Sequence, residues 1–252
     1  MKELLPAQEL TLLQGRLSLL QPAKGHRAGT DAMLLAATMP QGFQGMVVDM
    51  GAGMGTVGLV AAIGAPEAQV VLVEQDEQLL PLALQNVARN GLQHRVRVVA
   101  ADVMSAKARR AAGLEAGKAQ MVLTNPPFYQ AHTIRSSPLT LKQSAYEMQG
   151  TLDDWVRAAC SLLAPHGGLV MIHRAAALPD IIRACAGRFG GLQIRPVYPR
   201  AGDSAVRVLV AGTKGSRAPL ELLPGLLLHE GEDFSPEARA IQHGHMRIDM
   251  KL

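Results

Sequence analysis

Between residues 46 and 211, short apolar runs alternate with longer runs of helical period. The apolar runs lie at 46–50, 70–74, 96–99, 120–123 and 168–173, and helical periodicity fills 56–63, 79–90, 152–163 and 178–189. Gly91 stops the second of these helices. Two further strand-like runs, 193–197 and 205–210, are separated by a turn-rich link at 198–203, which suits an antiparallel pair. Residues 106–119, rich in Ala, Lys and Arg, read as a surface helix or loop. Strands this short and this apolar must be buried on both sides. The pattern therefore predicts an α/β fold: a seven-stranded, mostly parallel sheet with an antiparallel last strand and helices on both faces. In such sheets the ligand lies beyond the carboxyl ends of the strands. The residues at those ends are Asp49, Glu74, Asp102 and Asn125.

The chain divides into an N-terminal segment, 1–45, a core, 46–218, and a C-terminal extension, 219–252, in one domain overall. Its 252 residues are 48% apolar but only 3% aromatic, so Leu, Val, Ala, Ile and Met must build the core. Cys160 and Cys185 both sit in apolar helical stretches and read as buried thiols. His243 and His245 fall near the C-terminus, where a frayed tail is expected rather than a metal site. No run has the composition of a signal peptide or a membrane span, which points to the cytoplasm.

Residues 49–56, Asp-Met-Gly-Ala-Gly-Met-Gly-Thr, join the first core strand to its helix. A phosphate-binding loop would need Gly-Lys-Ser/Thr at its end, and a dinucleotide fingerprint would need Gly or Ala where Thr56 stands. What remains, an acidic residue followed by Gly51, Gly53 and Gly55, resembles motif I of class I methyltransferases. That resemblance implies a Rossmann-like fold and S-adenosyl-L-methionine as cofactor. It implies a loop wrapping the methionine part and Glu74, with Gln75 beside it, at the ribose hydroxyls. Carboxylate to vicinal diol is a good bidentate match. Asp102 follows the third strand, where the family binds the adenine amine.

Residues 124–129, Thr-Asn-Pro-Pro-Phe-Tyr, follow the fourth strand. Pro126 and Pro127 block a helix and fix an extended backbone. Asn125 supplies a carbonyl acceptor at a fixed place. An exocyclic amine on a base, or an amide nitrogen, is a poor nucleophile because its lone pair is delocalised. The Asn125 side-chain oxygen and the Pro126 carbonyl can hold its two N–H bonds and aim the lone pair at a methyl donor. No strong general base is needed, because the methylated product is very acidic. Phe128 offers a flat face for stacking the substrate. Trp155, in an amphipathic run, reads as a packing residue, and His173-Arg174 as lining the pocket or capping the strand, the cap being favoured.

With these motifs, Gln14-Gly15-Arg16-Leu17, Gly29-Thr30-Asp31-Ala32-Met33, Leu152-Asp153-Asp154-Trp155 and the stretch 228–238 resemble a bacterial family of tRNA(Val) adenine-37 N6-methyltransferases along nearly the whole chain. The resemblance implies that Thr30 and Asp31 cover the cofactor pocket near its methionine end. Thr30 also reads as the N-cap of a helix through Thr38. It implies adenine N6 in tRNA as the acceptor. Guanine N2 in rRNA, a protein glutamine amide and a small-molecule amine are the alternatives. The Asn-Pro-Pro-Phe form is also found in guanine-N2 rRNA methyltransferases.

Basic residues at 24–27, 107–110, 195–207 and 214–217, with a net charge of +4, are placed to hold RNA phosphates. The expected partner is thus RNA, and tRNA in particular, with no membrane and no metal.

Overall fold

The computed structural model describes residues 6–23, 28–127 and 150–250; Phe128 and the basic run 24–27 lie outside the described residues. A hairpin of β1 (Ala7–Leu12) and β2 (Leu17–Pro22) leads to α1 (Thr30–Ala37). The alternating part follows as β3 (Gly45–Met50), α2 (Thr56–Gly64), β4 (Ala68–Glu74), α3 (Leu80–Arg89), β5 (Val96–Ala100), α4 (Ala106–Ala111) and β6 (Ala119–Thr124). It continues with α5 (Leu152–Leu162), β7 (Leu163–Arg174), α6 (Leu178–Cys185), β8 (Phe189–Tyr198) and β9 (Arg207–Lys214). The C-terminal part holds β10 (Glu221–Leu222), β11 (Leu226–Leu227), β12 (His229–Glu230), β13 (Asp233–Phe234) and α7 (Pro236–Gln242).

Seven strands form the expected sheet in the order β8-β9-β7-β6-β3-β4-β5, with β9 antiparallel to both neighbours. The two-residue strands β10 and β11 lengthen it by pairing parallel to β8. Alternation along the strands separates two cores. Val47, Val70, Leu72, Leu123, Val170 and Ile172 pack toward α1 and α2. Val48, Val71, Val73, Val122, Leu169 and Met171 pack toward α5 and α6. A strict two-residue period can serve two faces at once only when helices cover both.

Four expectations need correction. Helix α6 ends at Cys185 rather than Phe189, because Gly187 takes φ +74° and turns the chain, so that Phe189 opens β8. Helix α4 ends at Ala111, and Ala119 belongs to β6. Gly29, not Thr30, is the N-cap of α1, and Thr30 is its first helical residue. The C-terminal segment is packed rather than frayed. Ile248 and Met250 are buried, the Ile248 N–H donates to the Ala37 carbonyl (2.8 Å), and Arg247 donates to the Gly64 carbonyl (2.6 Å). The two cysteines are free thiols, Cys185 buried and Cys160 half-buried. Burial pushes the Cys185 thiol up to about 12.

The hairpin was not legible in the strand–helix pattern. Two asparagines one turn apart hold it, Asn86 on α3 and Asn90 at its C-cap. Asn86 accepts from the Leu20 N–H (2.6 Å) and donates to the Leu20 carbonyl (2.9 Å). Asn90 accepts from the Ser18 N–H (3.0 Å) and donates to the Ser18 carbonyl (2.7 Å). Each amide stands in for a neighbouring strand, satisfying β2 backbone groups that a helix could not otherwise reach.

Candidate functional site

Strands β3 to β7 run parallel, so their carboxyl ends share one edge of the sheet. The glycine-rich turn, Glu74, Asp102, Asn125 and His173 all stand at that edge. Met50 and Thr124 are register partners on β3 and β6, so Gly51 and Asn125 leave the sheet side by side.

The glycine-rich turn takes left-handed conformations at Gly51 (φ +77°), Gly53 (φ +57°) and Gly55 (φ +91°), which other residues adopt at a cost. The Gly51 and Ala52 N–H groups donate back to the Val73 carbonyl (3.0 and 2.9 Å), curling the turn over the end of β4. Asp49 lies beneath it, 1% exposed, and its carboxylate accepts from the Gly58 N–H in the first turn of α2 (2.8 Å). Burial raises the Asp49 carboxyl from its ordinary 3.8 to about 7; the Gly58 N–H opposes that shift and Glu74 adds to it. The turn's far side is tied to α3, where Asn86 donates to the Met54 carbonyl (3.0 Å). The buried Thr56 hydroxyl, which opens α2, has no partner among the described residues.

Glu74 closes β4 with its carboxylate turned to backbone donors. One oxygen accepts from the Gly53 N–H (2.7 Å), the other from the Gln75 and Asp76 N–H groups (both 2.8 Å). Gln75 is exposed beside it. Asp102 is exposed two residues beyond β5 and accepts from the Met104 N–H (2.9 Å) in a local turn. These two carboxylates stand at the ends of adjacent strands; Glu74 Oε2 and the Asp102 carboxylate keep lone-pair capacity for a further donor, while Glu74 Oε1 is already filled by two N–H groups.

Asn125 and Pro127 are half-buried and Pro126 is buried. Just before them, the Thr124 hydroxyl donates to the Met50 carbonyl (2.8 Å) and accepts from the Trp155 indole N–H (2.9 Å). On the other side stands the buried His173 imidazole, with the backbone of Arg174 and Pro127 near enough to favour its charged form. Burial, and then the Arg174 charge, hold His173 below the usual imidazole range. His173 thus flanks the segment, and Trp155 is more than a packing residue. The signal in the sequence was a polar side chain at the end of an otherwise apolar strand.

Asp31 pairs with Arg207 at the start of β9 (2.8 Å), fixing α1 to the sheet near the carboxyl end of β7. Thr30 is half-buried at the same helix start. Several of the basic residues expected at phosphates serve the fold instead. Arg195 donates to the Pro224 and Asp249 carbonyls, Lys214 to the Leu163 carbonyl, and buried Arg109 to the Val103 carbonyl and the Ser161 hydroxyl. Lys107, Arg110, Arg200 and Arg217 remain exposed. An open groove of about 390 Å³ lies at the amino edge of the sheet, lined by Met46, Arg97, Glu115 and Lys118. It holds none of the residues singled out in the sequence. Among the described residues, no helix is long and apolar enough to cross a membrane.

Comparison with known proteins agrees with this geometry. The family model described as "Methyltransferase small domain" matches residues 26–188. A tRNA1(Val) (adenine(37)-N6)-methyltransferase from Aeromonas hydrophila is 27% identical over 193 residues, 75% of this chain and 77% of that protein. A 4-amino-L-phenylalanine/4-methylamino-L-phenylalanine methyltransferase from Streptomyces pristinaespiralis is 30% identical over 172 residues, 64% of this chain and 56% of that protein. The chain spans from 26% to 61% of the length of other relatives named as tRNA or rRNA methyltransferases. Among solved structures, a predicted O-methyltransferase from Agrobacterium tumefaciens superposes with a TM-score of 0.75 at 32% identity, covering 88% of this chain and 100% of that one.

Proposed function

The chain belongs to the methyltransferase small domain family, and from that premise we propose that it methylates an exocyclic amine of an RNA base, adenine N6 in tRNA first among them. S-Adenosyl-L-methionine is its methyl donor. The residues at the carboxyl edge fit that donor chemically. Glu74 and Asp102 are acceptors for a ribose diol and an adenine amine, both hydrogen-bond donors. The Gly51–Gly55 turn, with the Thr56 hydroxyl behind it, unpartnered among the described residues, would take the methionine part. Asp49 acts through the turn, and Thr30 and Asp31, at the start of α1 near the carboxyl end of β7, would cover the methionine end. Bound there, the donor supplies a methyl group on an electron-poor sulfonium.

The observation that carries the reading is the register of Met50 with Thr124, which sets Asn125 beside Gly51. Asn125 Oδ1 and the Pro126 carbonyl accept the two N–H bonds of the target amine. That holds its nitrogen in one orientation, with the lone pair facing the glycine turn. Pro127 keeps the second acceptor extended, and Phe128 supplies the stacking face. The surplus proton leaves to solvent, since a methylated aryl-ammonium is a strong acid. The Asn-Pro-Pro segment thus favours nitrogen over the oxygen acceptor named for the Agrobacterium protein.

Mass spectrometry of nucleosides from a strain lacking the gene tests this. N6-Methyladenosine should fall in tRNA and return when purified protein is added. Unchanged levels of every methylated base would remove RNA as the substrate. A second reading, a small arylamine, is favoured by the Streptomyces relative and by the acidic hairpin Glu230, Glu232 and Asp233 beyond β11. RNA binding should weaken steeply with salt; arylamine turnover should not.

A further inference from the structure

We propose that Trp155 is a positioning residue for methyl transfer: through the Thr124 hydroxyl and the underside of Gly51 it fixes the Asn-Pro-Pro segment against the glycine-rich turn. The inference rests on the functional reading above. It assigns to a residue outside both motifs the task of setting the separation between them.

Trp155 enters from α5, and that helix start is anchored twice. Thr151 and Asp154 form a reciprocal capping box, and Asp153 pairs with Arg188 ahead of β8 (2.8 Å). The indole is 2% exposed and touches each loop at its point of departure from the sheet. Its N–H donates to Thr124, the residue before Asn125. Its six-membered edge lies under Gly51, the residue after Met50. A Cβ on Gly51 would sit 3.1 Å from Trp155 Cη2 and 3.2 Å from Cζ2.

The polarity of this relay is fixed. An indole N–H can only donate, so the Thr124 hydroxyl must accept from it and spend its own proton on the Met50 carbonyl. A ring that merely filled the core would require neither the nitrogen nor the hydroxyl. The relay joins residues 74 positions apart in sequence, at the point where an error in spacing would fall directly on the reacting atoms.

Three variants separate positioning from packing. Thr124→Val keeps shape and removes the hydroxyl, Trp155→Phe keeps an aromatic ring and removes the N–H, and Thr124→Ser restores the relay. Single-turnover transfer to RNA from the deletion strain, at saturating donor, should fall about 10- to 100-fold in Thr124→Val and Trp155→Phe. Thr124→Ser should stay within about threefold of the parent. Calorimetric affinity for S-adenosylhomocysteine should change by less than about threefold in all of them. Rates within about twofold of the parent in folded Thr124→Val or Trp155→Phe protein, or losses matched by equal losses of affinity, would overturn the proposal.

Because Trp155 is the only tryptophan, its indole N–H gives a single resonance that needs no acceptor substrate. That resonance should exchange slowly with water, move when Thr124 becomes Val, and move again on titration with S-adenosylhomocysteine. A fast-exchanging signal, or one indifferent to both changes, overturns the relay. An active relay resonance with no transfer to RNA instead condemns the RNA substrate and leaves the positioning role intact.

Discussion

The glycine-rich turn and the Asn-Pro-Pro segment stand side by side but are built in opposite ways. The turn is held largely by its own neighbourhood. Asp49 binds Gly58 nine residues on, and Glu74, at the end of the next strand, binds Gly53. The Asn-Pro-Pro segment is held from a distance, by Trp155 through Thr124. A turn that must wrap a flexible ligand is shaped by backbone conformation, which local sequence can specify. A rigid acceptor pair needs support from below, and that support comes from whatever helix and strand the fold brings there.

The sharpest way to break this contrast is Asn125→Ala. Transfer at saturating donor should drop by about a thousandfold, as for loss of a positioned polar group in the transition state, with donor affinity nearly unchanged. Single-turnover kinetics read it; a normal rate removes Asn125 from the chemistry. Glu74→Ala should do the reverse. Losing charge-assisted hydrogen bonds worth about 1.5–3 kcal/mol should weaken S-adenosylhomocysteine about 10- to 100-fold in calorimetry. Transfer at saturation should be largely kept. If the two variants behaved alike, the division between donor turn and acceptor segment would be lost.

Asn86→Ala tests a remote support of the turn. It leaves the Leu20 backbone groups and the Met54 carbonyl without their amide partner. Denaturant unfolding should show a loss of about 2–3 kcal/mol. Asp49→Asn tests the local support by pH. The folded carboxyl titrates near 7 against an ordinary 3.8, so the folded state holds a proton the unfolded chain has released. Its contribution is complete below the unfolded value and declines as pH rises toward 7, with a limiting slope of about 1.4 kcal/mol per unit. The Asn variant should lose that slope in unfolding curves taken between pH 4 and pH 8.

The same contrast explains what the sequence revealed. The seven-strand sheet was legible because strands buried on both faces leave unbroken apolar runs, punctuated by Gly91 and the 198–203 link. The glycine turn and the Asn-Pro-Pro segment were legible because unusual backbone needs unusual residues in a row. The hairpin was not, because Asn86 and Asn90 look like ordinary polar interruptions of a helix until β2 lies against them. Nor was the reach of Trp155, since its spacing fits core packing and its nitrogen matters only once Thr124 is near. The structural part of Arg195 and Lys214 was hidden for a similar reason. Long cations bond distant carbonyls that local charge patterns do not reveal.

A crystal structure with S-adenosylhomocysteine puts the whole scheme to its most direct trial. The sulfur should lie between Gly51 and Asn125, facing the amide oxygen, with the indole still bonded to Thr124 beneath. An adenosylhomocysteine seated at another edge of the sheet, or one whose sulfur points away from Asn125, would contradict it.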